Sequence, residues 1–187
     1  MLKRAVRVWT LCLALPALAG AGESLVQRHE ATAGEPAQLA MLDQAPVDLV
    51  RVVKHERILY LMSGGVPVRA YAIALGDQPE GHKLQEGDER TPEGRYIIDW
   101  RNPNSQFYRS LHISYPNEDD RARAGALGVD PGGMIMIHGW PNSLGGEEDI
   151  ARLLYTDWTN GCIALTNTAM KEVWERVPDG TPIEILP

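Results

Sequence analysis

The sequence predicts one mainly β domain, a sandwich or barrel with two or three short helices. Most of the chain after residue 48 consists of short aliphatic or β-branched runs, bounded by glycine, proline or charged residues, which is typical of strands and turns. Helical patterns are short and few. The 187 residues are 44% hydrophobic, which suits one domain with a buried core.

The first 21 residues have the three-part pattern of a secretory signal. Basic residues at the start are followed by an apolar run over residues 8–19 and then by small residues. This run is too short for a membrane span, which needs about 20 residues. We therefore expect a signal peptide over residues 1–21, cleaved after Ala19 or Ala21. The mature protein should lie in the periplasm or cell envelope without stable membrane insertion.

Residues 22–47 read as a linker that holds at most one short helix, and residues 48–186 read as the domain. Three runs open this domain and suggest an antiparallel meander: 49–53, 58–62 and 66–75. Pro67 fits an edge strand, where its missing N–H is tolerated. A long surface loop follows over residues 76–94.

The second half of the domain mixes strands with short helices. Strands are predicted at 96–100, 111–115, 134–137 and 183–186, and a short helix within 117–128. Near the C-terminus Met170, Val173, Trp174 and Val177 recur at helical spacing, with Thr166 or Asn167 as the N-cap.

The charge balance argues against a nucleic-acid partner. The chain has 18 basic and 25 acidic residues, for a net charge of −7. Removal of residues 1–21, which hold three basic residues and no acid, leaves 15 against 25, or −10. Binding to a phosphate backbone needs clustered Lys and Arg.

The predicted mature chain keeps one thiol, Cys162, because Cys12 lies in the signal. An unpaired cysteine in an oxidising compartment is either buried and inert or used in chemistry. Its neighbours favour chemistry: Gly161 directly precedes it, and His138-Gly139 ends a buried apolar run 24 residues earlier. An imidazole can take the proton of a thiol and so support acyl transfer.

These segments together resemble the L,D-transpeptidase catalytic domain, also called the YkuD family. His138-Gly139 and the run 159–162 (Thr-Asn-Gly-Cys) match its His-Gly and Ser/Thr-x-Gly-Cys patterns. Upstream, the Thr-Pro-Glu-Gly run at 91–94 is similar to the family's Thr-Pro-x-Gly segment before a strand. The resemblance covers about residues 48–186.

The resemblance implies a cysteine enzyme that acts on peptidoglycan stem peptides. Cys162 would attack a carbonyl to form a thioester, His138 would move protons, and an amine of a second stem peptide would resolve the acyl-enzyme. Backbone amides at Gly161 and Cys162 would hold the oxyanion, and the carbonyl of Gly139 would orient the imidazole. Carbapenems should acylate the same cysteine.

Two positions depart from the family pattern and keep an alternative open. Asn160 stands where many members have His or Arg, and Ala164 where many have Arg or Asn. Since some branches with alanine there cleave amide bonds, the alternative is a carboxypeptidase or amidase that uses water. A non-catalytic wall-binding domain is a third reading, which the intact His138 and Cys162 oppose.

Several other residues are candidates for substrate binding. Lys83, Arg90, Arg95 and Arg109 could hold a stem-peptide carboxylate. His112 could line the cleft near His138, and Trp140 and Trp158 could wall it, although core packing explains the two tryptophans equally well. No His-x-x-x-His or paired-cysteine spacing exists, so we expect no metal, and we expect no other cofactor.

Overall fold

The computed structural model describes residues 44–144, 153 and 156–187. The predicted signal and residues 22–43 of the predicted linker lie outside these residues. The strands are β1 Leu49–Val53, β2 Ile58–Ser63, β3 Val66–Ala72, β4 Gly94–Asn102, β5 Ser110–Ile113, β6 Met136–His138, β7 Ile163–Ala164 and β8 Thr181–Leu186. The helices are α1 Glu118–Leu127 and α2 Asn167–Arg176. The prediction of a mainly β domain with short helices is confirmed.

All eight strands belong to one sheet in the order β3-β2-β1-β8-β4-β5-β6-β7. The first three strands form the predicted antiparallel meander, and β3, which contains Pro67, is at one end of this order. The C-terminal strand β8 lies between β1 and β4, parallel to the former and antiparallel to the latter. The last strand therefore joins the two halves of the sheet.

The two ends of the sheet meet, so the sheet curls toward a barrel. Just after β3, Ala74 exchanges two backbone hydrogen bonds of 2.8 and 2.9 Å with Ala164 of β7. A few residues on, the N–H of Asp77 donates to the carbonyl of Thr159 over 3.0 Å, and the Thr159 N–H donates to Leu75 over 3.1 Å. We call residues 74–77 and 159–164 the closing seam.

Alternating strand residues fill the inside of this curled sheet. Since successive strand side chains point to opposite faces, every second residue is buried. The fully buried members include Val50, Val52, Leu59, Leu61, Ile98, Leu111 and Ile113. Helix α2 adds Met170 and Val173 to the same core, as its predicted helical spacing indicates.

Side-chain caps begin both helices. Asn117 accepts the N–H of Asp120, whose carboxylate in turn accepts the Asn117 N–H, and this pair forms a capping box for α1. For α2, Thr166 accepts the N–H of Ala169 over 3.2 Å. Both helices therefore start where their polar residues predict.

The loop predicted at 76–94 is held against the sheet by a buried lysine. The Lys54 ammonium donates to the carbonyls of Gly81 and Thr91 at 2.6 and 3.0 Å, and to the carboxylate of Glu93 at 2.8 Å. Burial lowers the pKa of Lys54, while Glu93 opposes that shift. These three acceptors use all three donors of the ammonium and fix the loop beside the closing seam.

Candidate active site

Two short parallel strands position the histidine and the cysteine that the sequence singles out. β6 ends at His138, and Cys162 directly precedes β7. The strands pair in parallel, with Ile137 opposite Ile163 and His138 opposite Ala164. Neighbouring strands lie about 4.8 Å apart, so this pairing brings residues from distant parts of the chain to one place.

His138 and Cys162 both line a cleft of about 320 Å³, which we call the catalytic cleft. Aromatic side chains form part of its wall. The Phe107 ring lies 4.6 Å from the imidazole, centroid to centroid, and the Trp158 ring lies 5.7 Å from it. Trp158, predicted from the sequence as a wall residue, lies in that wall.

Two backbone groups hold the Cys162 thiol. Its sulfur accepts the Met136 N–H over 3.4 Å, and its S–H points to the Met134 carbonyl at 3.7 Å. Burial raises the pKa of the thiol, although the Met136 N–H and the charge of Lys83 oppose that shift. The resting group is therefore a neutral thiol that needs a base before it can attack.

The geometry of His138 leaves one ring nitrogen able to accept a proton. Its Nδ1 lies 2.7 Å from the carbonyl oxygen of Gly139, which can only accept, so Nδ1 carries the proton and Nε2 keeps a free lone pair. Burial lowers the pKa of His138 to about 4, although the bond to Gly139 opposes that shift. The imidazole is thus neutral at pH 7, in the tautomer that can accept a proton at Nε2.

A tight turn presents Cys162, and Thr159 holds this turn together. The Thr159 hydroxyl donates to the Cys162 carbonyl over 2.7 Å and accepts the Gly161 N–H over 3.1 Å. Gly161 has φ +117°, and a Cβ there would lie 2.5 Å from the carbonyl oxygen of Arg90. Only glycine fits both the backbone conformation and the close contact.

This turn corrects one expectation about the oxyanion site. The N–H of Gly161 is already bound to the Thr159 hydroxyl, so it does not point freely toward a substrate. The structure assigns no acceptor among the described residues to the N–H of Cys162. The backbone donor left available beside the thiol is therefore the amide of Cys162 itself.

Helix α2 supports the histidine side of the site. Its first residue, Asn167, accepts the N–H of Trp140 over 2.8 Å, and the Gly139 N–H donates to the Phe107 carbonyl over 3.0 Å. These bonds fix the backbone whose carbonyl holds the imidazole of His138. Trp140, predicted as a wall residue, is placed here by its backbone and does not line the catalytic cleft.

The three arginines predicted as carboxylate ligands lie away from the thiol. The side chain of Arg90 lies near Gly81, and only its carbonyl meets the turn before Cys162. Arg95 is 86% exposed and pairs with Glu184 at 3.1 Å. Arg109 lies 5.3 Å from the ring of an α2 tryptophan. None of the three lines a cleft beside Cys162, because their strands and loops direct their side chains elsewhere.

His112 is also outside the catalytic cleft. Its ring stacks on Trp100 at 4.7 Å, and its Nδ1 lies 2.6 Å from a carboxylate oxygen of Asp99. Ser110, two residues earlier on the same face of β5, lines the cleft instead because it pairs with His138. Only the strand register, which the sequence does not give, distinguishes these two positions.

A second cleft of about 360 Å³ also has Cys162 in its wall, and we call it the lysine cleft. It shares Met134, Asn160 and Cys162 with the catalytic cleft and adds Lys83 and Glu89. Sequence reasoning placed Asn160 at the site, and it lies between the two clefts. The two methionines that contact the thiol were missed, since their apolar run is typical of a buried strand.

Neither a metal centre nor a membrane helix is present in the part of the chain that the structure describes. No three His, Cys, Asp or Glu side chains there are grouped so that they could hold a metal ion. No helix in these residues is long and apolar enough to cross a membrane.

Comparison with known proteins identifies the class. Residues 48–185 match the L,D-transpeptidase catalytic domain family, YkuD, and the chain belongs to this family. It is 30% identical over 135 residues to the provisionally named L,D-transpeptidase YafK of Escherichia coli, a match that covers 68% of this chain and 46% of YafK. The chain thus spans about half the length of the curated relatives it matches.

Solved structures share the fold. The helical cell shape determining protein Pgp2 of Campylobacter jejuni is similar, with 26% identity, a TM-score of 0.54 and coverage of 76% of this chain and 47% of Pgp2. Bd1075 of Bdellovibrio bacteriovorus matches with 21% identity and a TM-score of 0.52, over 77% of this chain and 49% of that one, which supports the fold alone.

Proposed function

We propose that this protein is a cysteine acyltransferase that acts on peptidoglycan stem peptides, an L,D-transpeptidase. One observation carries the proposal: Cys162 and a neutral His138, with Nε2 free, line the same cleft at the β6–β7 pair. Membership of the YkuD family supports the substrate class.

In this proposal the first half-reaction forms a thioester. Nε2 of His138 takes the proton of the Cys162 thiol while the sulfur attacks the carbonyl before the terminal D-residue. The oxyanion accepts a hydrogen bond from the N–H of Cys162, and one such donor lowers the barrier by about 3 kcal/mol in a site that excludes water. When the intermediate collapses, the peptide C–N bond breaks, and the imidazolium gives its proton to the leaving amine.

The second half-reaction depends on what reaches the thioester. An amine of a second stem peptide would lose a proton to His138, form a new amide and release Cys162, which completes transfer. Transfer requires that the amine be held within attack distance, because proximity lowers the barrier by several kcal/mol. The two clefts that meet at Cys162 offer separate places for the donor and the acceptor.

Hydrolysis is the second candidate, and position 164 favours it. Ala164 is 3% exposed and lies in the closing seam, so this position offers no charge to an acceptor. If water resolves the thioester, the protein is a carboxypeptidase or amidase of the same fold. Either reaction places it in the cell envelope, as the signal-like N-terminus predicts, and links it to wall remodelling.

The deciding experiment combines the purified mature protein with tetrapeptide muropeptides and an excess of a D-amino acid, read by mass spectrometry. Transfer predicts exchange of the terminal residue or a 3–3 cross-linked dimer. Shortened stems or released cross-links at every acceptor concentration would instead assign hydrolysis.

Two variants test the assigned residues. Cys162→Ala should remove all turnover and the carbapenem adduct without unfolding the domain, and His138→Ala should slow turnover by several orders of magnitude. Full activity of Cys162→Ser would contradict the mechanism, since a hydroxyl is a much weaker nucleophile beside the same base.

A further inference from the structure

Lys83 is a buried cation in the wall of the lysine cleft. Only 3% of the residue is exposed, although lysine is almost never fully buried without a partner. Its ammonium donates to the carbonyl of Gln85 over 3.0 Å and to the carboxylate of Asp88 over 2.8 Å. An ammonium has three donors, and no third acceptor is present among the described residues. One N–H is therefore available for a ligand.

The carboxylate that pairs with Lys83 is itself held by several donors. Asp88 accepts three backbone N–H groups, those of Leu84, Gln85 and Arg90, besides the lysine. Burial alone would raise the pKa of Asp88, but these four hydrogen bonds hold it below its usual value. Asp88 is therefore ionised and held in place, so it fixes the position of the Lys83 ammonium.

The charge of Lys83 reaches the nucleophile. Lys83 and Cys162 line the same cleft, and the lysine charge acts on the thiol. Neither cleft beside Cys162 has an arginine in its wall, and Lys83 is the one lysine among the described residues that line them. A negatively charged part of the substrate near the reacting carbonyl has this cation as its counter-ion.

We propose that Lys83 binds the free carboxylate of the terminal residue of the stem peptide, so that the domain acts on chain ends only. This inference rests on the proposed function. The terminal carboxylate lies one residue beyond the attacked carbonyl, and consecutive Cα atoms are 3.8 Å apart. A cleft of about 360 Å³ that holds both Cys162 and a fixed cation has room and a counter-ion for that residue.

The acidic rim of the lysine cleft supports selection for chain ends. Glu86 and Glu89 also line it, so a carboxylate that enters without reaching Lys83 meets like charge. Lys83 is 3% exposed, whereas Glu86 is exposed, so the cation lies deeper than that acid. A carboxylate is therefore stabilised in this cleft only where it reaches Lys83.

The experiment compares two substrates in the unaltered mature protein: a tetrapeptide stem that ends in a free carboxylate, and the same stem with a terminal carboxamide. Loss of one charged hydrogen bond lowers kcat/KM by about 10- to 100-fold, so the free acid should be preferred by that factor. Lys83→Met should lower the rate with the acid to the rate with the amide. Lys83→Arg should keep part of the preference, and Arg95→Met, an exposed cation away from both clefts, should leave it unchanged.

Each result decides the inference. Equal rates for the free-acid stem and the carboxamide stem in the unaltered protein overturn it. This comparison uses no variant, so it does not depend on whether a variant folds. An equal loss with both substrates in Lys83→Met also overturns it, because that loss is the effect of a structural role. Only a collapse of the acid preference supports it.

Binding separates this inference from the proposed function. Calorimetry with Cys162→Ala measures affinity for the same two stems without any reaction. A tighter complex with the acid, lost when Lys83→Met is added, supports the lysine site even if the protein never turns over a stem. Equal affinities overturn the site while leaving the cysteine chemistry intact.

Discussion

Acid should destabilise this domain through the buried His138. Its pKa is about 4 in the folded protein, against 6.5 for an unperturbed histidine. Between these values the unfolded chain binds a proton that the folded chain does not, so stability falls as the pH falls. The residue is 4% exposed, so solvent screens little of this effect. One pKa unit is worth 1.36 kcal/mol, which gives a loss of about 2 kcal/mol by pH 5 and about 3 kcal/mol by pH 4.

Urea unfolding followed by tryptophan fluorescence at pH 8, 6.5, 5 and 4.5 measures this loss. His138→Gln is the matched control because glutamine does not titrate. Asp88, Glu172 and Glu184 have lowered pKa values, so the stability they add is lost below their unfolded values near 4, equally in both proteins. The extra loss between pH 6.5 and 4.5 should disappear in His138→Gln. Parallel stability curves for the two proteins would refute the reasoning.

Three further predictions concern the thiol and its turn. Alkylation of Cys162 by iodoacetamide should be slow at pH 7 and rise through alkaline pH, because burial raises its pKa; a plateau reached below pH 7 would contradict this. Thr159→Val removes two hydrogen bonds and should lower turnover about tenfold or more, whereas Thr159→Ser should keep most of it. Gly161→Ala should lower the free energy of unfolding by about 1–3 kcal/mol, because Gly161 has φ +117° and a Cβ there would contact Arg90. The control is Gly125→Ala in α1, which has open space around it and should raise the Tm or leave it unchanged.

Elements with their own periodicity could be predicted from the sequence. The run 49–53 is β1 as predicted, and α2 starts after its predicted cap, Thr166. His138 and Cys162, each beside a glycine, were singled out by residue type and by the resemblance to a family motif, and the structure places both in one cleft.

The features that could not be predicted from the sequence depend on which distant parts of the chain become neighbours. β7 has two residues, too few to show any period, yet it is the strand that joins Cys162 to His138. The direction of Arg95 and the burial of Lys83 depend on which strands and loops are neighbours. A loop that reads as charged surface in the sequence thus contains the buried cation of the site.

The closing seam has a consequence for when the protein becomes reactive. Residues 74–77 and 159–164 are far apart in the chain, and contacts between such distant segments are slow to form. Strand β7 lies in this seam, so until the seam forms the strand that pairs with β6 at His138 lacks its other neighbour. If Cys162 is the nucleophile, as proposed, a chain whose sheet has not yet joined its ends carries an ordinary thiol. Completion of folding and the start of the proposed reaction would then be one event.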